Sequence, residues 1–245
     1  MFPCYVINLE QDLENFERQK VHLQEEGLDP IRFIGVDARK NEHEKYLDHV
    51  APWCQKTCPM SLIGCGLSHI LLAKKLLENG TTMALVLEDD AFPKVCGIQE
   101  HIRATLAETP SDWDMLKLHC AWCRDTSQKG NFPSMAAYLL SESGIKKLAN
   151  TVLTDHIDFQ IFFTKDFKTY KSRWNLFWTD ESFSTNRGTN SSKFKFSNFS
   201  GEQSLEQALS YKVFRIGSTE FQTWHVVVLF LLVTTGAGFY FWRKR

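Results

Sequence analysis

The sequence predicts an α/β fold, a mainly parallel central sheet flanked by helices, followed by a single C-terminal transmembrane helix. Three observations predict it. Short apolar runs of strand length alternate with longer segments of helical periodicity. Polar residues close several of the strands, namely Asn8, Asp37 and Glu88-Asp89-Asp90. Nineteen residues from Trp224 to Trp242 carry no charge.

The elements follow in order. Cys4 to Leu9 reads as the first strand. A helix over about 12–26 follows, with Asp12 placed to cap it and Gly27 placed to end it. The second strand runs over 31–36 and ends at Asp37. Residues 39–60 are charged, then rich in Pro and Cys, and read as a loop with at most short helix. Over 63–79 the apolar residues Leu67, Ile70, Leu71, Ala73, Leu76 and Leu77 fall at helical spacing, and Gly80 stops the helix. Residues 83–87 form a buried strand, bounded by Gly80-Thr81-Thr82 before and Pro93 after. A helix near 98–108, a strand over 115–118 and a strand over 136–140 come next. Ser141 caps a helix to about Val152, with Glu142 favourable in its first turn. Residues 184–201, rich in Ser, Asn, Lys and Phe, read as a loop, and no internal repeat is visible.

Composition narrows the function. A length of 245 residues suits one ordinary domain plus a small appendage. The net charge is −1 and the only basic cluster is Arg243-Lys244-Arg245, which argues against a nucleic-acid partner. The start, Met1-Phe2-Pro3-Cys4, lacks the basic and apolar regions of a signal peptide. Seven cysteines do not suit a fully paired disulfide framework. Cys54 with Cys58 and Cys120 with Cys123 read either as one structural zinc site or as two unrelated pairs. Asn79, Asn190 and Asn198 begin glycosylation sequons, which matter only for a lumenal domain.

As a helix, residues 224–242 would span roughly 28 Å, close to the hydrocarbon thickness of a bilayer. Trp224, Tyr240 and Trp242 stand where interfacial aromatic belts form. This is a single-pass membrane anchor whose side is open: the basic tail favours the cytosol, whereas a lone C-terminal anchor would leave the domain there.

Three carboxylates closing a buried strand repel one another unless a positive charge sits between them. The all-oxygen donor set of Glu88, Asp89 and Asp90 suits Mg²⁺ or Mn²⁺, and such an ion most often holds a diphosphate. In an open α/β sheet, ligands bind beyond the carboxyl ends of the strands, and Asn8, Asp37 and the triplet all lie there.

Four segments together resemble glycosyltransferase family 25. They are Tyr5-Val6-Ile7-Asn8-Leu9, then Ile34-Gly35-Val36-Asp37-Ala38, then Gly64-Cys65-Gly66-Leu67-Ser68-His69 running on to Glu88-Asp89-Asp90, and last Ala137-Tyr138-Leu139-Leu140-Ser141 with Gly144, Leu148 and Asp158. The resemblance covers roughly residues 4–186. Ser61-Leu62 and Asn15-Phe16 depart from it where the family often has Gly-Glu and an Arg. It implies a GT-A-like domain over 1–215, leaving 216–223 as a stalk, 224–242 as the membrane helix and 243–245 as a basic tail.

The resemblance also implies inverting, metal-dependent transfer of a hexose, galactose or glucose, from a UDP-hexose to a glycan or protein acceptor. Glu88, Asp89 and Asp90 take the metal position, with Mn²⁺ or Mg²⁺ on the donor diphosphate. Asn8, Asp37, Ser68 and His69 are the donor-binding candidates. Ser68 and His69 equally suit a role in orienting the acidic loop, and Asp37 equally suits a strand-end turn. Asp158 is the candidate general base, with an N-cap as its other reading and Asp155 and Asp180 as alternatives. Two rival functions remain at this point: an inactive transferase fold serving as a membrane-anchored binding module, and a metal-dependent phosphohydrolase.

Overall fold

A computed structural model describes residues 2–120, 134–180, 209 and 212–243. The loop expected over 184–201, the sequons at Asn190 and Asn198, Cys123 and the last two basic residues lie outside the described residues. The chain divides into two compact units, 1–55 with 60–184, and 56–59 with 185–245.

The first unit is built on a six-stranded sheet. Its elements are β1 (Cys4–Asn8), α1 (Leu13–Glu25), β2 (Pro30–Ile34), α3 (Met60–Glu78), β3 (Met83–Glu88), β4 (Ala91–Pro93), α4 (Ile98–Glu108), β5 (Met115–Lys117), β6 (Ala137–Ser141), α5 (Glu142–Ala149), α6 (Ile157–Phe163), β7 (Thr169–Lys171) and β8 (Phe177–Thr179). A short α2 (Pro52–Thr57) precedes α3. The sheet order is β2-β1-β3-β6-β5-β7. β1 is parallel to β2 and β3, β5 is parallel to β7, and β6 runs against both its neighbours. The carboxyl ends of β1, β2, β3, β5 and β7 therefore share one edge, as the mainly parallel reading expects. Pro30 is tolerated because β2 is an edge strand.

β3 is buried on both faces from Ala84 to Leu87, as a central parallel strand must be. Leu85 and Leu87 join Phe16 and Leu23 of α1, Ile98 and Ile102 of α4, and Leu116 and Leu139 in one core. Alternation sends Val86, Lys117 and Tyr138 to the other face, and there His69 of α3 meets Tyr138.

Local signals account for the helix ends. Gly27 and Gly80 have φ of 72° and 66°. Each closes its helix with paired bonds, Leu28 N–H to Leu23 O and Gly27 N–H to Gln24 O in one case, Thr81 N–H to Leu76 O and Gly80 N–H to Leu77 O in the other. Ser141 caps α5 by accepting from Gly144 N–H. Asp12 sits at the cap position of α1 but makes no side-chain cap bond. α5 stops at Ala149 rather than Val152.

Two features differ from expectation. The short strands β4, β7 and β8 carry too few apolar residues for periodicity to register. The stretch read as a stalk, 216–223, is the turn and second strand of a hairpin, β9 (Lys212–Ile216) with β10 (Thr219–Gln222). Phe214 and Phe221 stack across it at 4.7 Å, a cross-strand contact that two isolated aromatic residues did not announce. The last helix, α7 (Thr223–Arg243), has 21 residues. Among the described residues, the helix long and apolar enough to cross a membrane is α3, and most of it is buried inside the domain.

α3 docks through its glycines. A Cβ on Gly64 would lie 2.5 Å from the Val36 carbonyl oxygen, and Ser68, one turn on, accepts from Val36 N–H at 2.8 Å. Alanine gains about 1 kcal/mol of helix propensity over glycine, but a main-chain carbonyl cannot move aside as a side chain can. Gly64→Ala is expected to lower stability by about 1–3 kcal/mol net, read as a lower urea midpoint with an unchanged slope.

Candidate active site at the carboxyl edge of the sheet

The acidic triplet does not gather into one cluster. Glu88 has the parity of Val86 and turns toward α3, where its Oε1 lies 3.1 Å from His69 Nε2 and accepts from the Cys65 thiol at 3.7 Å. Asp89 turns to the opposite side, and its Oδ2 accepts from Asn8 Nδ2 at 2.6 Å. Asp90 carries the turn into β4, and its carbonyl accepts from Asp180 N–H at 2.8 Å. Gln19 of α1, fully buried, donates to the carbonyls of Glu88 and Ala91 and so fixes this turn.

The helix motif is explained by its spacing. Gly64 and Ser68 form one i, i+4 pair, facing Val36; Cys65 and His69 form the next, facing Glu88. Ser68 also donates to Gly64 O at 2.7 Å, so its hydroxyl is engaged within the fold. His69 Nδ1 lies 2.7 Å from the Tyr138 hydroxyl. Burial pushes the Glu88 carboxyl up, but the His69 hydrogen bond and the charges of His69 and His156 outweigh it and hold the group below its ordinary range. Burial takes the Asp89 carboxyl up to about 6, against the lowering effect of the Asn8 bond.

Asp37 caps the turn Ala38–Lys40 by accepting from Arg39 N–H. The Arg39 guanidinium lies 2.7 Å from its Oδ1, and Gln11 donates to its Oδ2 at 3.1 Å. The Arg39 hydrogen bond holds the Asp37 carboxyl below its usual range.

Asp158 is not the cap of α6. His156 is, accepting from Asp158 N–H at 3.3 Å, and Asp158 stands in the first turn. Its carboxylate, 3.8 Å from His156 Nδ1, remains partly exposed. It lies close enough to Cys65, Lys117 and Tyr138 to shift the protonation of each. Asp158 and Glu88 therefore share one electrostatic environment, although 70 residues of sequence separate them.

Sequence reasoning missed Lys117, Lys171, Tyr138, Cys65 and His156. Lys117 is fully buried and stands in register between Tyr138 of β6 and Lys171 of β7, itself buried. A lysine inside the apolar run Met115-Leu116-Lys117-Leu118 is the signal that could have found it. The zinc reading of the cysteine pairs is corrected. Cys54, Cys58 and Cys120 are disulfide-bonded, so the thiolates that zinc needs are consumed, whereas Cys4, Cys65 and Cys96 are free.

The fold and this edge define an α/β domain with carboxylates gathered at the carboxyl ends of its parallel strands. Residues 1–119 match the family model described as glycosyltransferase family 25 (LPS biosynthesis protein). A "Glycosyltransferase 25 family member" of Aedes aegypti is 27% identical over 169 residues, 59% of this chain and 27% of that protein. One of Anopheles gambiae is 31% identical over 94 residues, 35% of this chain and 16% of that protein. The chain thus spans a minor part of either relative's length. Among solved structures, a glycosyltransferase involved in the glycosylation of the major capsid of PBCV-1 is 8% identical, with 60% of this chain and 62% of that chain covered at a TM-score of 0.35. That superposition is too loose to carry an inference.

Lys117 makes the electrostatics testable. Burial pushes its ammonium down from 10.5 to about 8, against the raising effect of Asp158 and Glu88. Between these values the unfolded chain binds more protons than the folded one, so this group's contribution to stability rises with pH across the window. Below pH 8 the buried ammonium costs the fold about 3 kcal/mol. Relative to Lys117→Met, the parent chain is expected to gain stability between about pH 8 and pH 10, read as the difference in urea midpoint between the two proteins at matched pH.

Proposed function

We propose that this chain transfers a hexose, galactose or glucose, from a UDP-sugar to a hydroxyl of a glycan or protein acceptor, with inversion, on a GT-A-like fold. One observation carries the reading: the turn of Asp89 and Asp90 and the partly exposed Asp158 lie toward one edge of the sheet, in a chain whose first 119 residues match the glycosyltransferase family 25 model. Asp89 and Asp90 are the residues that would hold Mn²⁺ or Mg²⁺, with Glu88 turned away toward His69. Their hard oxygen donors fit such an ion, which needs only one or two carboxylates beside substrate phosphates. When bound it would offset the charge growing on the leaving diphosphate.

The chain's own groups do the rest. Asn8 and Asp37 stand at the strand ends that face a donor. Ser68 and His69 act through the fold, Ser68 by holding α3 to the loop after β2 and His69 by fixing Glu88. Asp158 takes the acceptor proton as the acceptor oxygen bonds to the anomeric carbon and the bond to the nucleotide breaks. His156, at the start of the same helix, holds its carboxylate.

Asp90→Asn is expected to cut manganese-dependent turnover by about 10² or more. Asp158→Asn is expected to nearly abolish transfer while leaving metal-dependent UDP-sugar binding within a few-fold, because an amide keeps the shape but cannot take the proton. Loss of binding in Asp158→Asn makes that residue a donor ligand. Metal-dependent binding with no turnover in the parent chain, across all UDP-sugars tried, makes the protein a binding module instead.

We also infer that α7 anchors the chain in a membrane by a single pass. Its residues 226–233 are apolar and exposed, Phe230 at 66% and Leu232 at 64%, and the sequence stays free of Asp, Glu, Lys and Arg from Trp224 to Trp242. A chain ending at Gln222 should be released by alkaline carbonate and keep the melting temperature of the full chain. Unfolding on truncation would make α7 a core helix.

A further inference from the structure

We propose that Cys65, His69 and Glu88 form a binding site for Zn²⁺ or a similar borderline transition ion, separate from the oxygen-donor position at Asp89 and Asp90. Among the described residues, these three are the set of metal-ligating side chains whose donor atoms converge, all within 4.8 Å of one another. Oε1 of Glu88 is 3.1 Å from His69 Nε2 and 3.7 Å from Cys65 Sγ. A tetrahedral zinc with bonds of about 2.0–2.3 Å sets ligand-to-ligand edges of about 3.3–3.7 Å. The Glu88–Cys65 edge already has that length, the Glu88–His69 edge at 3.1 Å falls just short of it, and the third lies within 4.8 Å, so side-chain adjustment alone closes the site.

The framework supports the same reading. Cys65 and His69 lie at i, i+4 on one face of α3, a spacing that aims two ligands at one point. His69 and Tyr138 are buried at 1% and 0% exposure, and Nδ1 of the ring lies 2.7 Å from the Tyr138 hydroxyl. That contact fixes the ring with Nε2 toward Glu88, the outer-shell arrangement typical of metal-bound histidine. In the loaded site Nδ1 carries the ring proton and donates it to the Tyr138 oxygen, leaving the Nε2 lone pair for the metal. The Cys65 thiol releases its proton to solvent, and thiolate plus carboxylate then match the charge of the ion. Glu88, with 30% of its side chain exposed, leaves an entry path and a fourth position for water. The mixed sulfur, nitrogen and oxygen set selects against Mg²⁺ and Mn²⁺.

The site does not depend on sugar transfer: a chain that binds metal here without turnover leaves this proposal standing, and turnover without such binding removes it. The test is Co²⁺ titration of the full chain in detergent, without thiol reductant so that the disulfides persist. One equivalent of Co²⁺ should raise a thiolate-to-cobalt charge-transfer band, displaced by Zn²⁺ and untouched by excess Mg²⁺. The band should survive Cys96→Ser and vanish in Cys65→Ser. Zn²⁺ binding should weaken by more than the roughly 10- to 100-fold typical of losing an outer-shell partner. In the parent chain, Zn²⁺ should protect Cys65 from alkylation, read by mass spectrometry, while exposed Cys96 still reacts; this measurement needs no variant to fold. No band in the parent chain, a band that persists in Cys65→Ser, or alkylation of Cys65 indifferent to Zn²⁺ overturns the site.

Discussion

The two-sided burial of β3 is the constraint on which the rest of the structure depends. Residues 84 to 87 have no exposed face, so helices must cover both sides of the sheet. α1 and α4 cover one side with Phe16, Leu23, Ile98 and Ile102. α3 covers the other, and it comes close only because Gly64 and Gly66 leave no Cβ to strike the Val36 carbonyl or the Leu153 side chain. The strand then ends abruptly in charge. Consecutive residues leaving a strand point to opposite faces, so the same burial that orders β3 divides Glu88 from Asp89. One carboxylate goes to a histidine and a thiol on α3, the other to the Asn8 amide at the end of β1.

That division sets the electrostatics. On the α3 side, Glu88 and Asp158 are matched by His69, His156 and Lys117 within a largely buried layer. Burial of a carboxylate without hydrogen-bonding or charged partners is costly, so these partners are a condition of the fold and not an addition to it. On the other side, Asp89 is partly buried with the neutral Asn8 amide as its partner. Its carboxyl is accordingly pushed up to about 6, whereas that of Glu88, equally enclosed, is held down. Two adjacent residues of like chemistry thus titrate in opposite directions, and the cause is the partner each finds across its own face.

Much of this was legible in the sequence, and the exceptions have physical reasons. β3, α3, α5 and both closing glycines could be read because each carries a local signal: an apolar run, a 3.6-residue period, Ser141 before Glu142, a glycine after the last periodic residue. The order of the strands and the reversed β6 could not, since pairing between distant segments leaves no local mark. The acidic triplet was visible as three carboxylates at a strand end, but not its splitting, although the alternation that puts Glu88 with Val86 was available from the spacing alone. Lys117 was passed over because the run around it reads as apolar. The other reading of Asp158, as the cap of α6, fell to His156, because an imidazole nitrogen accepts from a helix N–H as a carboxylate does, and sequence favours the carboxylate.

The same geometry separates two kinds of chemistry at one strand end. Asp89 and Asp90 offer oxygen only, and Mg²⁺ or Mn²⁺ keeps most of its shell for water and phosphate. Cys65, His69 and Glu88 offer sulfur, nitrogen and oxygen in a layer where His69 is held by Tyr138. Ion choice would then follow from which face of β3 a ligand approaches, not from overall affinity, because donor type and enclosure differ more across the strand than along it. Any shift of α3 along its axis moves Cys65 and His69 together while leaving Asn8 and Asp89 in place. The contacts that hold α3, above all Gly64 and Ser68 against Val36, therefore bear on Glu88 far more than on its neighbour one residue away.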